Sequence, residues 1–461
     1  MQGDFIAVSR LLATGRAPTR AVCADGKRDV SWGEFAGQVG GIAAALGARS
    51  EARWLLHCEH PLAFAAALLA LLHTGRRAVL ASGMQPALIE ALRPAYDAIL
   101  GDAAPAALDV RRIAPAKTDF QVLEARAARI DLYTSGSSGE PKRVEKSLHQ
   151  LETEARVLEA SWGVALGGAT VVATVPHHHI YGLLFRLIWP LAAGRRFDAA
   201  LCAEPGLLVE TLRRHGDAVL VSSPAHLTRL PELIALESLK PLLRRIFSSG
   251  GPLPAATAAH YQRRLGTAPT EVYGSTESGG VGWREQDGSD EAASWRAFSP
   301  IRVRIDADGA LCLRSPYLPD DAWLTMGDAA ELLPDGRFRL KGRLDRVVKV
   351  EGKRVSLPEL EQGLRRHPWV LDAAVVPLAG RKETLGAIVV LREPALREQG
   401  RQRLVAALRE CLLERFDRVV VPRHWRFPER LPADARGKLT AQALSALFLQ
   451  KSASGDDKPA A

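Results

Sequence analysis

The sequence predicts an α/β fold: a large N-terminal domain with mainly parallel sheets flanked by helices, followed by a small, mobile α+β C-terminal domain. Short apolar runs that end in Gly, Ser or Pro clusters alternate with helix-like stretches, which is typical of a parallel sheet covered by helices. The 461 residues and 47% hydrophobic content support a large core and two or three domains. The character of the sequence also changes near residues 342–345, where a basic, strand-like segment runs into a new helix.

Four apolar runs are candidate strands of the large domain: "ATVVATVP", "AVLVSSP", "RRIFSSGG" and "TEVYGSTE". The stretches "LLVETLRRHG" and "ATAAHYQRRLG" lie among them and predict helices. The most apolar stretch, "PLAFAAALLALLHTG", is too short to span a bilayer, so it predicts a buried helix and no integral membrane segment. Because ligands collect at the carboxyl ends of parallel strands, we expect a site at the Gly/Ser clusters.

The loop "YTSGSSGEPK", residues 133–142, follows the candidate strand "ARIDLY". It combines small hydroxyl side chains, two glycines and a lysine, and it buries almost nothing. A flexible surface linker is one interpretation, since Gly/Ser tracts often are linkers. The preceding strand and the fixed lysine favour a loop that wraps a polyphosphate. The loop does not match GxxxxGK[ST], and the sequence has no GxGxxG, so a kinase or P-loop NTPase is disfavoured.

A helix is predicted after this loop. Ser147 and Gln150 form a candidate capping box, and Leu151, Ala155 and Leu158 share one face. The loop is therefore expected to join a strand to a helix, the usual setting for phosphate contact.

The predicted domains are residues 1–342 and 343–450, with a disordered tail at 451–461. In the small domain, Ser356 and Glu359 form a second candidate capping box.

The basic residues are concentrated in the last quarter of the chain. From 344 to 450 there are 20 Lys/Arg and 13 Asp/Glu, a net +7 of the formal +9 for the whole chain. Nucleic acid, an acidic membrane or an acidic protein could explain this balance. No recognition helix or aromatic-interleaved basic strand is present in the sequence, so nucleic acid is not expected as a partner.

Cysteine usage and the first residues bear on the compartment. The five cysteines are scattered without a CxxC pair, which predicts neither a disulfide framework nor a zinc site. The start "MQGDFIAVSRLLATGR" shows no basic region followed by an apolar run. A cytoplasmic protein is therefore expected.

The loop resembles the Thr-Ser-Gly-Ser/Thr-Thr-Gly-x-Pro-Lys loop of the adenylate-forming superfamily, which includes acyl-CoA synthetases, aryl-acid ligases, peptide-synthetase adenylation domains and luciferases. Further segments resemble the motifs of that family, in its order: "PHHHIYGLLF", "SSGGPLP", "VYGSTES", "GALCLRSP", "TMGDAAEL", "GRLDRVVKVEGKRVSLPELE" and "PADARGKLT". The resemblance covers most of the chain. The segment "PHHHIYGLLFRLIWPLAAG" is most similar to small stand-alone bacterial ligases that load carrier proteins with aromatic or medium-chain acids.

The resemblance implies a reaction in two halves. A carboxylate attacks the α-phosphate of ATP, giving an acyl- or aryl-adenylate and pyrophosphate. A thiol, from CoA or from the phosphopantetheine of an acyl carrier protein, then displaces AMP and forms a thioester. ATP and Mg²⁺ are the implied cofactors. The alternatives are an adenylate-former that does not transfer to a thiol and a non-catalytic homologue that binds AMP or an acid. The presence of Lys142, Glu277, Asp328 and Lys438 together favours the enzyme.

The resemblance assigns four catalytic residues. Lys438 would bridge the attacking carboxylate and the α-phosphate, and Glu277 would hold Mg²⁺. Thr276 would contact the α-phosphate, and His179 would be the gate of the acyl pocket. Asp345 would be the hinge about which the small domain rotates between the half-reactions.

The resemblance also assigns residues to ATP and AMP binding. Asp328 would accept hydrogen bonds from both ribose hydroxyls, with Arg343 close by. The full set is Thr134, Ser135, Gly136, Ser137, Ser138, Gly139, Lys142, Gly250, Gly251, Tyr273, Gly274, Ser275, Asp328 and Arg343.

Plainer interpretations stand beside these roles. Asp328 and Arg343 could form an ordinary surface ion pair, and Lys438 could be a solvated lysine in a Gly turn. The three consecutive histidines ending at His179 could suggest a metal, but neighbouring residues point in different directions. The basic small domain suits an acidic carrier protein and equally the phosphates of CoA.

The sequence departs from the family in two places. Ala310 stands where the family has an acid, and the 51 positions from Glu277 to Asp328 imply a trimmed connecting subdomain.

Overall fold

In the computed structural model, the described residues are 4–81, 83–103, 105–135, 141–287, 293–350, 353–378, 384–393, 396, 400–432 and 441–449. Contacts divide the chain into two compact units. The first unit comprises Met1–Val303 and Leu313–Leu324, and the second comprises Arg304–Cys312 and Thr325–Ala461. The predicted domains, residues 1–342 and 343–450, stay a prediction.

The strands of the first unit carry its two sheets. In chain order they are β1 (Ala21–Asp25), β2 (Arg28–Ser31), β3 (Arg53–His57), β4 (Arg77–Leu80), β5 (Ala98–Gly101), β6 (Leu108–Asp109), β7 (Arg129–Ser135), β8 (Pro141–Ser147), β9 (Thr170–Ala173), β10 (Phe197–Leu201), β11 (Ala218–Ser222), β12 (Leu243–Ser248), β13 (Thr270–Ser275), β14 (Gly279–Glu285) and β15 (Arg296–Ala297).

The helices of this unit cover the sheets. They are α1 (Val8–Thr14), α2 (Trp32–Gly47), α3 (Pro61–His73), α4 (Pro86–Ala91), α5 (Leu148–Leu166), α6 (Ile180–Gly182), α7 (Trp189–Ala193), α8 (Pro205–His215), α9 (Pro224–Leu233) and α10 (Ala255–Leu265).

Both sheets are mainly parallel, as predicted. One has the strand order β15-β14-β13-β12-β11-β9-β10-β1-β2 and the other the order β6-β5-β3-β4-β7-β8. The four apolar runs form β9, β11, β12 and β13, which are successive parallel neighbours through β9–β11, β11–β12 and β12–β13. Antiparallel pairs occur towards the ends, such as β13–β14 and β7–β8. The carboxyl ends of the central strands therefore meet at one edge, where the Gly/Ser clusters fall.

Two predicted helices form as expected. Helix α3 is almost wholly buried, which explains its uninterrupted apolar sequence. Helix α5 begins with the predicted capping box, in which Ser147 accepts from the Gln150 N–H while Gln150 accepts from the Ser147 N–H.

The connection after the predicted phosphate loop differs from the expectation. The loop does not lead directly into a helix, because residues Pro141–Ser147 first form β8, antiparallel to β7 with Thr134 opposite Lys142. The alternation of Val144 and Lys146 inward with Arg143 and Glu145 outward is a strand pattern, and it pairs with β7 before α5 begins. The residues on either side of the loop therefore pair with each other, and β8 is the last strand in the order of its sheet.

The remaining elements belong wholly or partly to the second unit. The strands are β16 (Arg302–Ile305), β17 (Ala310–Arg314), β18 (Leu324–Leu332), β19 (Phe338–Arg343), β20 (Val347–Val350), β21 (Lys353–Ser356), β22 (Val370–Leu378), β23 (Thr384–Leu391) and β24 (His424–Arg426), and the helices are α11 (Leu357–Arg365), α12 (Arg401–Leu413) and α13 (Ala441–Leu449). They form sheets β16-β17-β18-β19, β20-β21 and β22-β23-β24.

The second unit has its own apolar core. Leu360 and Leu364 of α11 pack with Val375, Val389 and Leu408 from β22, β23 and α12. The Ser356 hydroxyl accepts from the Glu359 N–H, so the helix starts where the second capping signal predicted. Across the described residues of both units, none of the helices combines the length and the hydropathy needed to cross a bilayer.

Candidate active site

Two predicted site residues from different sheets meet directly. Lys142, at the start of β8, donates from Nζ to Oε1 of Glu277 at 2.6 Å, although they are 135 positions apart. Their side chains are 60% and 36% exposed, so both can also reach a ligand. Burial acts to raise the pKa of Glu277, but the hydrogen bond and charge of Lys142 hold that pKa below its usual value. Glu277 is therefore ionised at neutral pH.

The turn that carries Glu277 is fixed by hydrogen bonds between serines. Ser278 Oγ accepts from the Ser275 N–H at 2.9 Å, and Ser275 Oγ accepts from the Ser278 N–H at 3.1 Å. Gly274 lies against the next strand, where a Cβ would stand 2.1 Å from the carbonyl oxygen of Gly279. Only glycine fits there, and the tight turn presents Thr276 and Glu277 at the carboxyl end of β13.

A buried lysine that the sequence reasoning missed supports this turn from behind. Lys146 is 2% exposed, and its Nζ donates to the carbonyl oxygens of Glu277 at 2.6 Å and Tyr317 at 3.1 Å. Gln150 donates to the same Tyr317 carbonyl at 2.7 Å. Burial lowers the pKa of Lys146, opposed by the charges of Glu154 and Glu277. The lysine thus ties the strand after the phosphate loop to the backbone of the predicted metal ligand.

A buried acid, also missed, lies on α5 near this lysine. Glu154 is 4% exposed and accepts from the Gly280 N–H at 2.7 Å. Burial raises its pKa to about 7, against the opposing effects of the Gly280 hydrogen bond and the charge of Lys146.

A cavity of about 190 Å³ opens beside the turn. Predicted nucleotide-site residues form part of its wall, namely Gly250, Gly274, Ser275 and Thr276. The rest of the wall includes Glu154, Val272 and Gly280, together with Ile180, Tyr181, Leu184 and Phe185. Leu184 and Phe185 belong to the π-helical segment Leu183–Ile188, a form of helix that is frequent at functional sites. The cavity therefore joins the predicted phosphate side to an aromatic pocket.

The three consecutive histidines occupy different surroundings. His177 is buried, with Nε2 2.9 Å from the Cys58 carbonyl oxygen and its ring 4.7 Å from that of Phe64. His179 precedes α6 as its N-cap residue, next to the cavity residue Ile180, and does not itself line the cavity. Its gate role stays a prediction. Among the residues that the structure describes, no three His, Cys, Asp or Glu side chains are grouped to hold a metal.

Four of the remaining predicted site residues lie next to a described partner. Thr134 lies opposite Lys142 in the hairpin, and the Tyr273 ring lies 5.5 Å from that of Trp295. In the second unit, Asp328 and Arg343 face each other across β18 and β19. Outside the described residues lie Gly136, Ser137, Ser138, Gly139 and Lys438, and also the side chains of Ser135 and Asp345. The roles of all these residues stay predictions, as does that of Gly251, which follows β12 and Gly250.

Comparison with known proteins identifies the family. The chain matches the family model of AMP-binding enzymes over residues 127–316 and that of the AMP-binding enzyme C-terminal domain over residues 359–438. It is 33% identical over 325 residues to a 4-coumarate–CoA ligase of Rhodobacter capsulatus, covering 69% of this chain and 77% of that protein.

Solved structures share the fold at low identity. An ATP-bound RpMatB–BxBclM chimera superposes with a TM-score of 0.80 at 21% identity, covering 96% of this chain and 99% of the chimera. The o-succinylbenzoate CoA synthetase of Bacillus subtilis, in complex with its acyl-adenylate intermediate, gives 0.79 at 19% identity, covering 95% and 97%. The predicted fold class and the resemblance are both confirmed: the chain belongs to the family of AMP-binding, adenylate-forming enzymes.

Proposed function

We propose that this protein is an ATP-dependent carboxylic acid ligase that forms an acyl- or aryl-adenylate and then a thioester, releasing pyrophosphate and AMP. The observation that carries the proposal is the 2.6 Å contact between Lys142 and Glu277 beside a cavity walled by Ser275 and Thr276. A cation, a carboxylate and small hydroxyl groups lie together at the edge of a parallel sheet, where a polyphosphate and a small acid can both be held.

The charges suit the first half-reaction. A carboxylate that attacks the α-phosphate must approach a polyanion, so positive groups are needed around the phosphates. Lys142 supplies one such group, and its exposed ammonium can turn from Glu277 to a phosphate oxygen. Thr276 lies on the same turn and can donate to a phosphate oxygen with its hydroxyl.

The carboxylate of Glu277 is a suitable ligand for Mg²⁺. Mg²⁺ takes one or two carboxylates and completes its shell with phosphate oxygens and water. Glu277 offers one partly exposed carboxylate with a lowered pKa. When bound, the ion supplies neutralisation of phosphate charge. Glu277 would hold it, and Lys146 keeps the Glu277 backbone in place.

The cavity favours a compact acid. Its volume of about 190 Å³ and the rings of Tyr181 and Phe185 suit a single aromatic ring or a short chain better than a long fatty acyl chain. We propose an aryl acid as the substrate class. The thiol acceptor would be CoA or a carrier-protein phosphopantetheine, in the cytoplasm. The excess of basic residues between 344 and 450 supports docking of an acidic carrier protein or of CoA phosphates.

The test is ATP–pyrophosphate exchange with benzoic, cinnamic and C4–C16 fatty acids. We expect Mg²⁺-dependent exchange with at least one aryl acid, and thioester formation when CoA or holo-carrier protein is then added. Absence of acid-dependent exchange across the whole panel would overturn the proposal.

A further inference from the structure

The wall of the cavity contains one charged side chain among its described residues, that of Glu154. It projects from α5 and is 4% exposed. Most of its neighbours in the wall are apolar or uncharged, including Val272, Leu184 and Phe185. An ionised carboxylate is costly to bury in such surroundings, so its presence in the wall calls for a physical reason.

The backbone makes room for this carboxylate. Glu154 Oε2 lies 2.7 Å from where a Cβ at Gly279 would stand, and Oε1 lies 3.0 Å from the equivalent point at Gly280. Any larger residue at these positions would displace the acid. The turn after Glu277 and the acid on α5 therefore fit each other closely, and this fit places Glu154 at the cavity.

Contacts with the described residues use only part of the hydrogen-bonding capacity of the Glu154 carboxylate. A carboxylate has two oxygens with about four acceptor positions. The Gly280 N–H occupies one position on Oε1, and Lys146 acts on the acid through its charge. A neutral glutamine could accept the same single hydrogen bond at lower desolvation cost. The carboxylate balances the charge of the buried Lys146, and because Glu154 lines the cavity, its remaining acceptor positions are open to a donor that arrives there.

The substrate's own carboxylate cannot be that partner, because an ionised carboxylate has no hydrogen to donate and would be repelled by the ionised form of Glu154. That group belongs on the side of Ser275 and Thr276, where it would meet the nucleotide. The remainder of the acid then extends along the aromatic wall towards Glu154.

We propose that Glu154 is a specificity-determining residue that accepts a hydrogen bond from a hydroxyl or amino group carried by the substrate away from its carboxylate. The substrate class is thus a compact aromatic acid with such a donor. This inference rests on the proposed function and narrows it.

The experiment compares matched acids in ATP–pyrophosphate exchange. The panel is benzoic, 4-hydroxybenzoic, 4-aminobenzoic and 4-methoxybenzoic acid, together with their 3-substituted counterparts and the corresponding cinnamic acids. The methoxy compounds keep the oxygen but cannot donate. We expect kcat/KM for a hydroxy or amino acid to exceed that for its methoxy and unsubstituted partners by about 100-fold or more. Comparing the hydroxy acids with the amino acids shows whether a hydroxyl or an amino group is the preferred donor.

Three variants separate specificity from folding. Glu154→Leu removes the acceptor, and we expect the donor preference to fall to within a few-fold. Glu154→Gln keeps the size and a neutral acceptor, and we expect an intermediate preference. The control is Glu152→Gln, since Glu152 is a buried acid of the same helix that accepts from the Ser9 N–H and does not line the cavity. It should keep the full preference.

The outcomes are distinct. The inference would be overturned if the wild type exchanged hydroxy and methoxy acids equally well, or if Glu154→Leu kept the preference for donors. Glu154 would then be a structural residue, and the ligase proposal would still stand. Exchange with fatty acids alone would also overturn the inference about Glu154 and leave the ligase proposal standing. No exchange with any acid would overturn both. If Glu154→Leu fails to fold, the wild-type ratios and Glu154→Gln decide.

Discussion

The ammonium of Lys142 and the carboxylate of Glu277 are 2.6 Å apart and join the two sheets of the first unit. Lys142 lies on β8 of the six-stranded sheet, and Glu277 lies just past β13 of the nine-stranded one. Lys146 makes a second bridge between the same two segments, through the Glu277 carbonyl. The first bridge is exposed and the second is buried. The exposed pair can therefore contact a ligand while the buried bridge keeps the two segments aligned.

Replacing either member of the exposed pair should impair adenylation without unfolding the protein. We expect Lys142→Ala to lower acid-dependent pyrophosphate exchange by about 100-fold or more, because a preorganised positive group is lost. Glu277→Gln should lower exchange similarly and raise the Mg²⁺ concentration needed for half-maximal rate. Lys27→Ala, at an exposed turn, is the control. An unchanged Mg²⁺ titration in Glu277→Gln would refute the metal assignment.

Loss of the buried lysine should act on stability. Lys146→Met removes the lysine's hydrogen bond to the Glu277 carbonyl, leaves Gln150 as a donor to the Tyr317 carbonyl, and takes away the charge that compensates the buried Glu154. We therefore expect the free energy of unfolding to fall by about 3 kcal/mol. In the double variant with Glu154→Gln, the total loss should be smaller than the sum of the single losses. Urea denaturation of the four proteins measures this coupling, and strict additivity would show that the two groups are independent.

The buried acid should also make stability depend on pH. The pKa of Glu154 is raised to about 7 in the folded protein, above its unfolded value, so the unfolded chain loses the proton first as pH rises. The contribution of Glu154 to stability is therefore highest at acid pH, falls as pH rises from about 4.3 to 7, and is constant above that range.

The measurement is urea unfolding of wild type and Glu154→Gln at pH 5, 6, 7 and 8. The stability of the variant relative to wild type should rise across this range by at most about 3 kcal/mol. A difference that does not vary with pH would mean that the folded and unfolded states hold this proton equally well.

The turn before Glu277 should tolerate no side chain at position 274. In Gly274→Ala the new Cβ would meet the Gly279 carbonyl oxygen at 2.1 Å, so the backbone must move. We expect a stability loss of about 2 kcal/mol and a fall in exchange of about 100-fold through misplacement of Thr276 and Glu277. Gly206→Ala is the matched control, since it lies in the first turn of α8 with no atom within 4 Å of its notional Cβ. Equal effects of the two changes in thermal melting and exchange assays would contradict this account.

The two half-reactions should separate at Lys438. Its role rests on the family motif "RGKLT", and it lies outside the described residues. We expect Lys438→Ala to abolish pyrophosphate exchange yet spare thioester formation from a supplied acyl-adenylate. Equal loss in both assays would refute its assignment to adenylation alone.

Much of the fold was predictable because its signals are local. The apolar runs that became β9, β11, β12 and β13 are bounded by small residues, and the helices between them carry their own periodicity. The capping box at Ser147 and Gln150 set the start of α5. The sequence does not predict strand β8, because four of its seven residues are charged and its pairing with β7 depends on residues outside the local pattern.

The sequence predicts the site residues that lie in family motifs, but it does not predict those whose role depends on burial in the folded protein. Lys142 and Glu277 lie in motifs, but Lys146 and Glu154 do not. A signal was nevertheless present for both. Lys146 shares the inward face of β8 with Val144, and Glu154 lies three residues after Leu151, within the buried stripe of α5. Charged residues are assumed to face solvent by default, and only the structure shows that these two compensate each other.

The position of β8 at the end of its sheet order has a consequence for handling the protein. A terminal strand presents unpaired backbone groups to which a second molecule can add, and natural proteins deter such addition with charged side chains. Lys142, Arg143 and Glu145 supply those charges here. Variants that neutralise several of them at once would weaken the protection against self-association, so we expect such variants to form oligomers more readily than the wild type.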